Sequence, residues 1–293
     1  MASISVIIPT RHRNAQLARC LDRLAPGRQT LDATEYEVIV TDDGSNSTAE
    51  SLVREKYPWA RWVAGPRRGP ASNRNNGARH AAGHWLAFTD DDCLPAPDWL
   101  ECFLAAAAPA GDVLEGKTTC QAGILTPLQE APINLQGGNL WSCNFMIRSR
   151  LFQEIGGFDD SFPMPACEDI EFNARLRRLG HVPLFVPTAI VDHPPRPRHG
   201  GWRLGLMWES RVNLWYKEGN VGSVWSWLPI HLLKYRIGRI LEYPIRWHTV
   251  RALASLALEF TCVLMYLGGW EARYCPPARL ASRRRVLNGG TKC

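Results

Sequence analysis

The chain has 293 residues, 45% of them hydrophobic, with 34 Lys and Arg against 28 Asp and Glu for a net charge of +6, which suffices for one large α/β domain with an appendage or for two smaller domains. The charge is uneven: residues 1–193 carry 18 basic and 23 acidic side chains (−5), whereas residues 194–293 carry 16 and 5 (+11) together with seven of the twelve Trp. Nine Cys without a CxxC pair or zinc-like spacing speak against a zinc module and suit reduced thiols, and no recognisable nucleic-acid motif accompanies the basic third, so no nucleic-acid partner is expected.

Ser3–Ile8 is a β-branched run bounded by Pro9, the pattern of a central parallel strand. Leu17, Leu21 and Leu24 then recur at helical spacing until Pro26-Gly27. The turn between them, Pro9-Thr10-Arg11-His12-Arg13, lacks the GxGxxG glycines a dinucleotide pyrophosphate needs, which argues against a dehydrogenase. A basic n-region followed by an apolar run is missing at the start, so a cytosolic location is expected.

A second strand, Tyr36–Thr41, ends in Asp42-Asp43-Gly44-Ser45, with Ser47 and Glu50 in a capping-box pattern for the next helix. Carboxylates at the carboxyl end of a parallel strand lie where open α/β sheets bind ligands, and one there can accept from a ribose or a base N–H. Turn and N-cap duty is the alternative for Asp42 and more so for Asp43. Arg61–Ala64 reads as a short third strand, and Gly69–Arg79 as a helix whose start carries Arg74, a fork suited to phosphate.

Leu86-Ala87-Phe88-Thr89 is an apolar run ending in Asp90-Asp91-Asp92. Strand alternation predicts that Asp90 and Asp92 project together while Asp91 turns away, and such oxygens suit Mg²⁺ or Mn²⁺. A solvated acidic turn capping the helix at Pro97–Leu100 is the alternative. Gly137–Ile147 and Ile155–Asp159 read as a hairpin and turn. Cys167-Glu168-Asp169-Ile170 opens a helix with a Phe172, Leu176, Leu179 stripe and a stop at Gly180. Two short strands, 182–186 and 189–191, lead to Asp192-His193, and the Pro-rich segment 194–201 reads as a linker or lid.

From Ile230 to Arg251 apolar and basic residues mix with Trp and Tyr, as in a helix lying in a membrane interface. The apolar run Ala252–Leu267 contains Glu259 and is short for a span. Interfacial contact, a short span and packing within a soluble fold all remain open, and Arg283-Arg284-Arg285 would touch anionic lipid.

Val6-Ile7-Ile8-Pro9-Thr10, Asp42-Asp43-Gly44-Ser45, Asn73-Arg74-Asn75-x-Gly77 and Phe88-Thr89-Asp90-Asp91-Asp92, in that order, resemble the nucleotide-binding half of family 2 glycosyltransferases of the GT-A fold. The resemblance implies an α/β fold: a Rossmann-like, mostly parallel sheet flanked by helices over residues 1–195 (nucleotide half 1–95, acceptor half 96–195), with a helical, basic, Trp-rich extension over 196–293. It implies that Thr10, Asp42 and Arg74 help hold a nucleotide-sugar donor, with Pro9, Arg11, Asp43, Asp90 and Asp91 beside them. Asp92 would be the direct Mn²⁺ or Mg²⁺ ligand, with Asp90 and with His193 as a third ligand. Gly138, Asn139 and Trp141 would line the acceptor site. Glu168-Asp169 matches the family's ED motif, which makes Asp169 the expected base and Glu168 its alternate.

The implied reaction is inverting transfer from a UDP-sugar to a saccharide or lipid-linked acceptor, with the extension on the cytoplasmic face of a membrane. The rival reading is a catalytically inactive membrane-associated scaffold that retains the fold. A nucleotidyltransferase is disfavoured by the ED and Gly-Gly-Phe-Asp segments.

Overall fold

The computed structural model describes residues 3–46 and 48–275; Ser47 and Arg283-Arg284-Arg285 lie outside them. The chain divides into two compact units. One comprises Met1–Ile124, Ala131–Ser161 and Glu168–Arg196, and the other Leu125–Glu130, Phe162–Cys167 and Pro197–Cys293.

The first unit is built on β1 (Ile4–Thr10), β2 (Tyr36–Asp42), β3 (Arg61–Ala64), β4 (Trp85–Thr89), β5 (Leu94–Pro95), β6 (Val113–Thr119), β8 (Asn144–Arg148) and β9 (Leu184–Asp192); β7 (Gln129–Glu130) and β10 (Arg196–Pro197) stand outside this sheet. The order is β3-β2-β1-β4-β8-β6-β9-β5. β1 pairs in parallel with β2 and β4, β2 with β3, and β6 with β9, whereas β8 runs antiparallel to β4 and β6. The helices are α1 (Asn14–Leu24), α2 (Glu50–Lys56), α3 (Pro70–Arg79), α4 (Trp99–Ala110), α5 (Ser149–Glu154) and α6 (Glu168–Arg178).

Period-two alternation divides the core between the two faces of this sheet. Ile4, Val6 and Ile8 of β1, Ala87 of β4 and Met146 of β8 join Leu17, Leu21, Val53, Trp99 and Phe103 from α1, α2 and α4. Ile7, Phe88, Phe145 and Ile147 face the other way and meet Phe152, Phe158, Phe172 and Leu176. There Phe88 stacks on Phe145 at 4.8 Å, and Phe158 meets Phe172 at 4.6 Å with the rings tilted by 32°. α3 lies close on the sheet because of Gly77: a Cβ there would stand 2.5 Å from Ile7 Cγ2, so the helix carrying Arg74 is held against β1 by the absence of a side chain.

Two local expectations change. In place of two strands, 182–186 and 189–191, there is one, β9 from Leu184 to Asp192, whose pairing with β6 slips between Gly116 and Lys117, so that Gly116 faces Val186 and Lys117 faces Ile190; the bulge reads as a break in sequence. α2 starts at Glu50 with Ala49 as N-cap and no side-chain cap. The Ala49 N–H instead donates to Asp42 Oδ2 at 2.5 Å.

The second unit contains α7 (Gly201–Lys217), α8 (Leu228–Leu241) and α9 (Trp247–Tyr274). Val212, Leu228, Leu232, Ile240, Ala252, Leu256, Val263, Leu267 and Trp270 form its core. Glu259 is 2% exposed and accepts from Trp208 Nε1 and Arg236 Nε, each at 2.9 Å. α9, at 28 residues, is long and apolar enough to cross a membrane by length and composition.

Candidate functional site

The parallel strands β1 to β4 deliver their polar residues to the carboxyl edge of the sheet, and β1 lies between β2 and β4, where the strand order reverses. Such a switch point opens a crevice for ligands. Thr10 at the end of β1 and Asp91 after β4 close its floor: Thr10 Oγ1 donates to Asp91 Oδ2 at 2.7 Å. Pro9 is buried within β1, and Arg11 is exposed at its end.

β4 stops at Thr89, and Asp90–Cys93 is a turn in which the Cys93 N–H donates to Asp90 O at 3.1 Å. A turn frees the three carboxylates from strand alternation, and each takes its own partners. Asp90 accepts from Arg74 Nη2 at 2.6 Å. Asp91 is buried and accepts from Thr10 and from Arg13 Nη1 at 3.1 Å. Burial pushes Asp91 up to about 7 against the pull of Arg13. Asp92 Oδ2 accepts from the same Arg13 nitrogen at 3.0 Å.

Asp92 Oδ1 faces His193 Nε2 at 3.2 Å. This is an ion-pair approach without hydrogen-bond alignment, and both atoms are buried with no hydrogen-bond partner among the described residues. His193 is fully buried, and its Nδ1 donates to Pro194 O at 2.9 Å, which orients Nε2 toward the carboxylate. Burial alone would raise Asp92, but His193, Arg13 and Arg196 hold it at about 2. For His193 burial disfavours the charged ring, and Asp92 overcomes it to give about 9. Together with Cys93 Sγ, the ligand atoms of Asp92 and His193 lie within 4.8 Å of one another. Two buried, unpartnered donor atoms in this arrangement fit a divalent cation. Asp90, tied to Arg74, is not among them.

Arg74 is buried rather than open to a ligand phosphate. Its Nη1 also reaches Glu168 Oε1 at 3.4 Å, and its guanidinium lies 5.8 Å from the centre of the Phe158 ring. The flanking asparagines explain the rest of the motif. Asn73 bridges the ends of β1 and β2 through Thr41 Oγ1 (2.6 Å), Thr41 O (2.8 Å) and Thr10 O (3.4 Å). Asn75 exchanges two hydrogen bonds with the Phe158 backbone at 2.8 and 2.9 Å.

Asp42 and Asp43 organise backbone. Asp42 accepts from Gly44 N, Ala49 N and Trp62 Nε1, and Asp43 from Arg67 N and Gly69 N at 2.9 and 3.0 Å. Burial pushes Asp43 above the usual carboxylate range.

α6 opens on Glu168 and Asp169. Burial, then the neighbouring Glu168, push Asp169 up to about 7, with Arg74 opposing. Asp169 Oδ1 accepts from Ile170 N at 2.8 Å. Burial likewise raises Glu168, and Arg74 works against it.

Gly138 and Asn139 are exposed and Trp141 is half-buried, donating from Nε1 to Ile133 O at 3.2 Å. The residue that shapes this loop was not singled out from sequence. Glu115, 1% exposed, accepts from the backbone N–H groups of Gly138, Asn139 and Leu140 at 2.7–2.8 Å and from Asn134 Nδ2 at 2.7 Å. Gly137 and Gly138 have φ of 84° and 99°, a conformation that lets successive N–H groups converge on one carboxylate. Arg13 and Cys93 were missed as well. An Arg shortly after β1 carries no distinctive pattern, and Cys93 was legible only as the residue following the acidic run.

Residues 5–124 match the sequence profile of Glycosyl transferase family 2. A validoxylamine A glucosyltransferase from Streptomyces hygroscopicus subsp. limoneus is 31% identical over 233 residues, covering 62% of this chain and 49% of that protein; the chain thus spans about half of that relative's length. Among solved structures, S. aureus TarS 1–349 in complex with UDP-GlcNAc aligns with a TM-score of 0.56 at 16% identity, over 97% of this chain and 92% of that one. Mannosyltransferase PcManGT from Pyrobaculum calidifontis, in complex with GDP-Man and Mn²⁺, aligns with a TM-score of 0.52 at 18% identity, over 98% and 79%. At those identities the likeness is one of fold. Sequence profile and architecture agree: residues 5–124 carry the profile of glycosyl transferase family 2, and the fold is that of the GT-A neighbours.

Proposed function

We propose that the chain transfers a sugar, with inversion, from a nucleoside-diphosphate donor of the UDP-sugar type to a hydroxyl of a saccharide or lipid-linked acceptor. The observation that carries the reading is the buried pair Asp92 Oδ1 and His193 Nε2, which face each other 3.2 Å apart without a hydrogen bond at the switch point of the sheet. These residues would hold Mn²⁺ or Mg²⁺. When bound, such a cation supplies positive charge against the charge that develops on the departing diphosphate.

The chain's own residues do the rest. Thr10 and Arg13 fix the acidic turn so that Asp92 presents Oδ1. The loop of Gly138, Asn139 and Trp141, pinned by Glu115, orients the acceptor. Asp169 takes the acceptor proton as the new glycosidic C–O bond forms and the anomeric carbon–phosphate oxygen bond breaks; the nucleoside diphosphate leaves with the bonding pair. A single in-line displacement inverts the anomeric centre. A base titrating at about 7 is matched to proton transfer near neutrality.

In this reading residues 1–195 are the transferase domain and 196–293 a membrane-associating extension at the cytoplasmic face. The exposed apolar side chains Leu253, Leu258 and Met265 on α9 and Ile230 and Ile237 on α8, beside a basic surplus of +11 over residues 194–293, suit an anionic interface.

Calorimetric titration of UDP, GDP, CDP and dTDP, with and without Mn²⁺, tests the donor site. Metal-dependent binding of one nucleotide, lost in Asp92→Ala, is the expected result. Failure of every nucleotide to bind the folded protein would sink the donor-site reading.

A further inference from the structure

The residue after the acidic turn changes the chemistry of the site. Asp92, Cys93 and His193 offer one oxygen, one sulfur and one nitrogen, all within 4.8 Å of one another. The closest pair, Asp92 Oδ1 and His193 Nε2, is 3.2 Å apart. Edges of a tetrahedron built on Zn–O, Zn–N and Zn–S bonds run roughly 3.3–3.8 Å, so no pair of these atoms needs to close by more than about 1.5 Å. The turn makes this convergence available: in a strand the side chains of residues 92 and 93 would diverge, but the chain reverses after Thr89 and the Cys93 N–H donates back to Asp90 O.

Several observations make this more than a cysteine beside an acid. Cys93 and His193 are both 0% exposed. His193 Nε2 is aimed into the group without a hydrogen-bond partner while Nδ1 is occupied by Pro194 O. Asp92 Oδ1 is equally unpartnered, although Oδ2 of the same carboxylate is taken by Arg13. Arg13 thus orients the carboxylate and leaves one oxygen for a cation. An all-oxygen site of the Mg²⁺ type has no use for a buried sulfur, whereas thiolate and imidazole donors favour borderline and soft cations.

We propose that Cys93 is a third protein ligand of this site, making it an Asp–Cys–His centre that prefers Zn²⁺, Co²⁺ or Cd²⁺ over Mg²⁺ and retains a position open to an oxygen of a bound phosphate or to water. The inference rests on the reading of this crevice as the metal-assisted donor site and adds the identity of a ligand and a class of ion. Binding releases the thiol proton to solvent, because a coordinated thiol is held as thiolate. No electron transfer is involved. The site then also becomes a point of inhibition, since a tightly held soft ion would resist exchange for Mn²⁺.

Titration of metal-stripped full-length protein with Co²⁺, followed by absorption, reads the ligand directly. The expected result is a near-ultraviolet thiolate-to-cobalt charge-transfer band with visible d–d bands of tetrahedral intensity. Cys93→Ser should remove the charge-transfer band and weaken Co²⁺ and Zn²⁺ binding beyond the roughly 10–100-fold lost when only a partner that orients a ligand is removed, with Mg²⁺ affinity unchanged. Cys143→Ser keeps the band and controls for the buried thiol hydrogen-bonded to Cys93. If Co²⁺ binds without a charge-transfer band, or if the band survives in Cys93→Ser, the proposal is overturned.

A parallel titration of UDP with Mn²⁺ separates the two claims. Nucleotide binding without a thiolate band leaves the donor site standing and removes Cys93. A Cys93-dependent band without any nucleotide binding does the reverse. Should Cys93→Ser fail to fold, Cd²⁺ titration of wild type and His193→Ala decides instead: a thiolate-to-cadmium band in wild type that is weakened in His193→Ala supports the centre, and no band in wild type overturns it.

Discussion

Arg74 and Asp90 form a 2.6 Å ion pair in which the guanidinium is 5% exposed, and the same guanidinium reaches Glu168 at 3.4 Å. One cation thereby joins the turn after β4 to the start of the helix that carries Asp169. Removing it leaves Asp90 and Glu168 without their cation in a buried setting, and losses of this kind are strongly destabilising. Arg74→Ala should lower stability by about 3–5 kcal/mol in urea unfolding. Arg74→Lys should recover part of it, because one ammonium cannot span both carboxylates. A loss below about 1 kcal/mol for the alanine variant, the size of an exposed pair, would show that the bridge is not held in solution.

Asp169 titrates at about 7 because burial and then Glu168 disfavour its charge more than Arg74 favours it. As the proposed base it works only when deprotonated, so kcat/KM for transfer should rise with pH and level off above about 7. The stability effect has the opposite sense. The folded state holds this proton more tightly than the unfolded chain does, so the penalty for ionising it is absent below the ordinary carboxylate pKa and complete above about 7. Asp169→Asn should abolish transfer, leave donor binding intact, and gain stability relative to wild type as pH rises across that window. Normal transfer by Asp169→Asn would remove it as the base.

Much of this was legible in the sequence because it depends on local pattern. Ile4, Val6 and Ile8 alternate with Ile7, and Thr10, Asp42 and Asp90–Asp92 mark the carboxyl ends of β1, β2 and β4. What escaped depends on chain reversal or on residues far apart in sequence. Alternation stops at Asp90 because β4 ends one residue earlier, so Asp90 is met by Arg74 while Asp92 and Cys93 both lie near His193. Arg74 has the composition of a phosphate clamp, but only packing on Phe158 and the approach of α6 show that its charge is met internally. Glu115 lies on β6, which has no motif to announce it, and its role appears only when residues 138–140 fold over it.

Glu115 holds the loop proposed above to orient the acceptor. One carboxylate meets three backbone N–H groups that point inward in a loop containing Gly137 and Gly138 at positive φ. Glu115→Ala strands those donors, and a buried unsatisfied donor costs about 1–3 kcal/mol. The loop should relax outward to reach water, so amide exchange at Asn139 and Leu140 should accelerate by an order of magnitude or more. KM for acceptor should rise while the donor Kd stays fixed. Unchanged exchange at Leu140 would show that another group holds the loop.

Glu259 decides how α9 can meet a membrane. Its carboxylate accepts from Trp208 and Arg236 at 2.9 Å each, and the Glu259 and Arg236 side chains are 2% and 3% exposed. Residues 249, 252, 256, 259, 263, 267 and 270 are buried at helical spacing, while Val250, Leu253, Leu258 and Met265 are exposed. A helix committed to its neighbours along one stripe has only the other side to offer, which suits lying on a surface rather than crossing it. The chain should therefore bind anionic vesicles, be released by high salt, and be extracted at alkaline pH without detergent. Leu258→Glu with Met265→Glu should abolish vesicle binding with little loss of stability, since both side chains are exposed. Glu259→Ala should do the opposite, costing about 3–5 kcal/mol because Arg236 is left buried and unpaired. Retention in the membrane after alkaline extraction would mean that α9 spans the bilayer and that the buried Glu259–Arg236 pair lies within it.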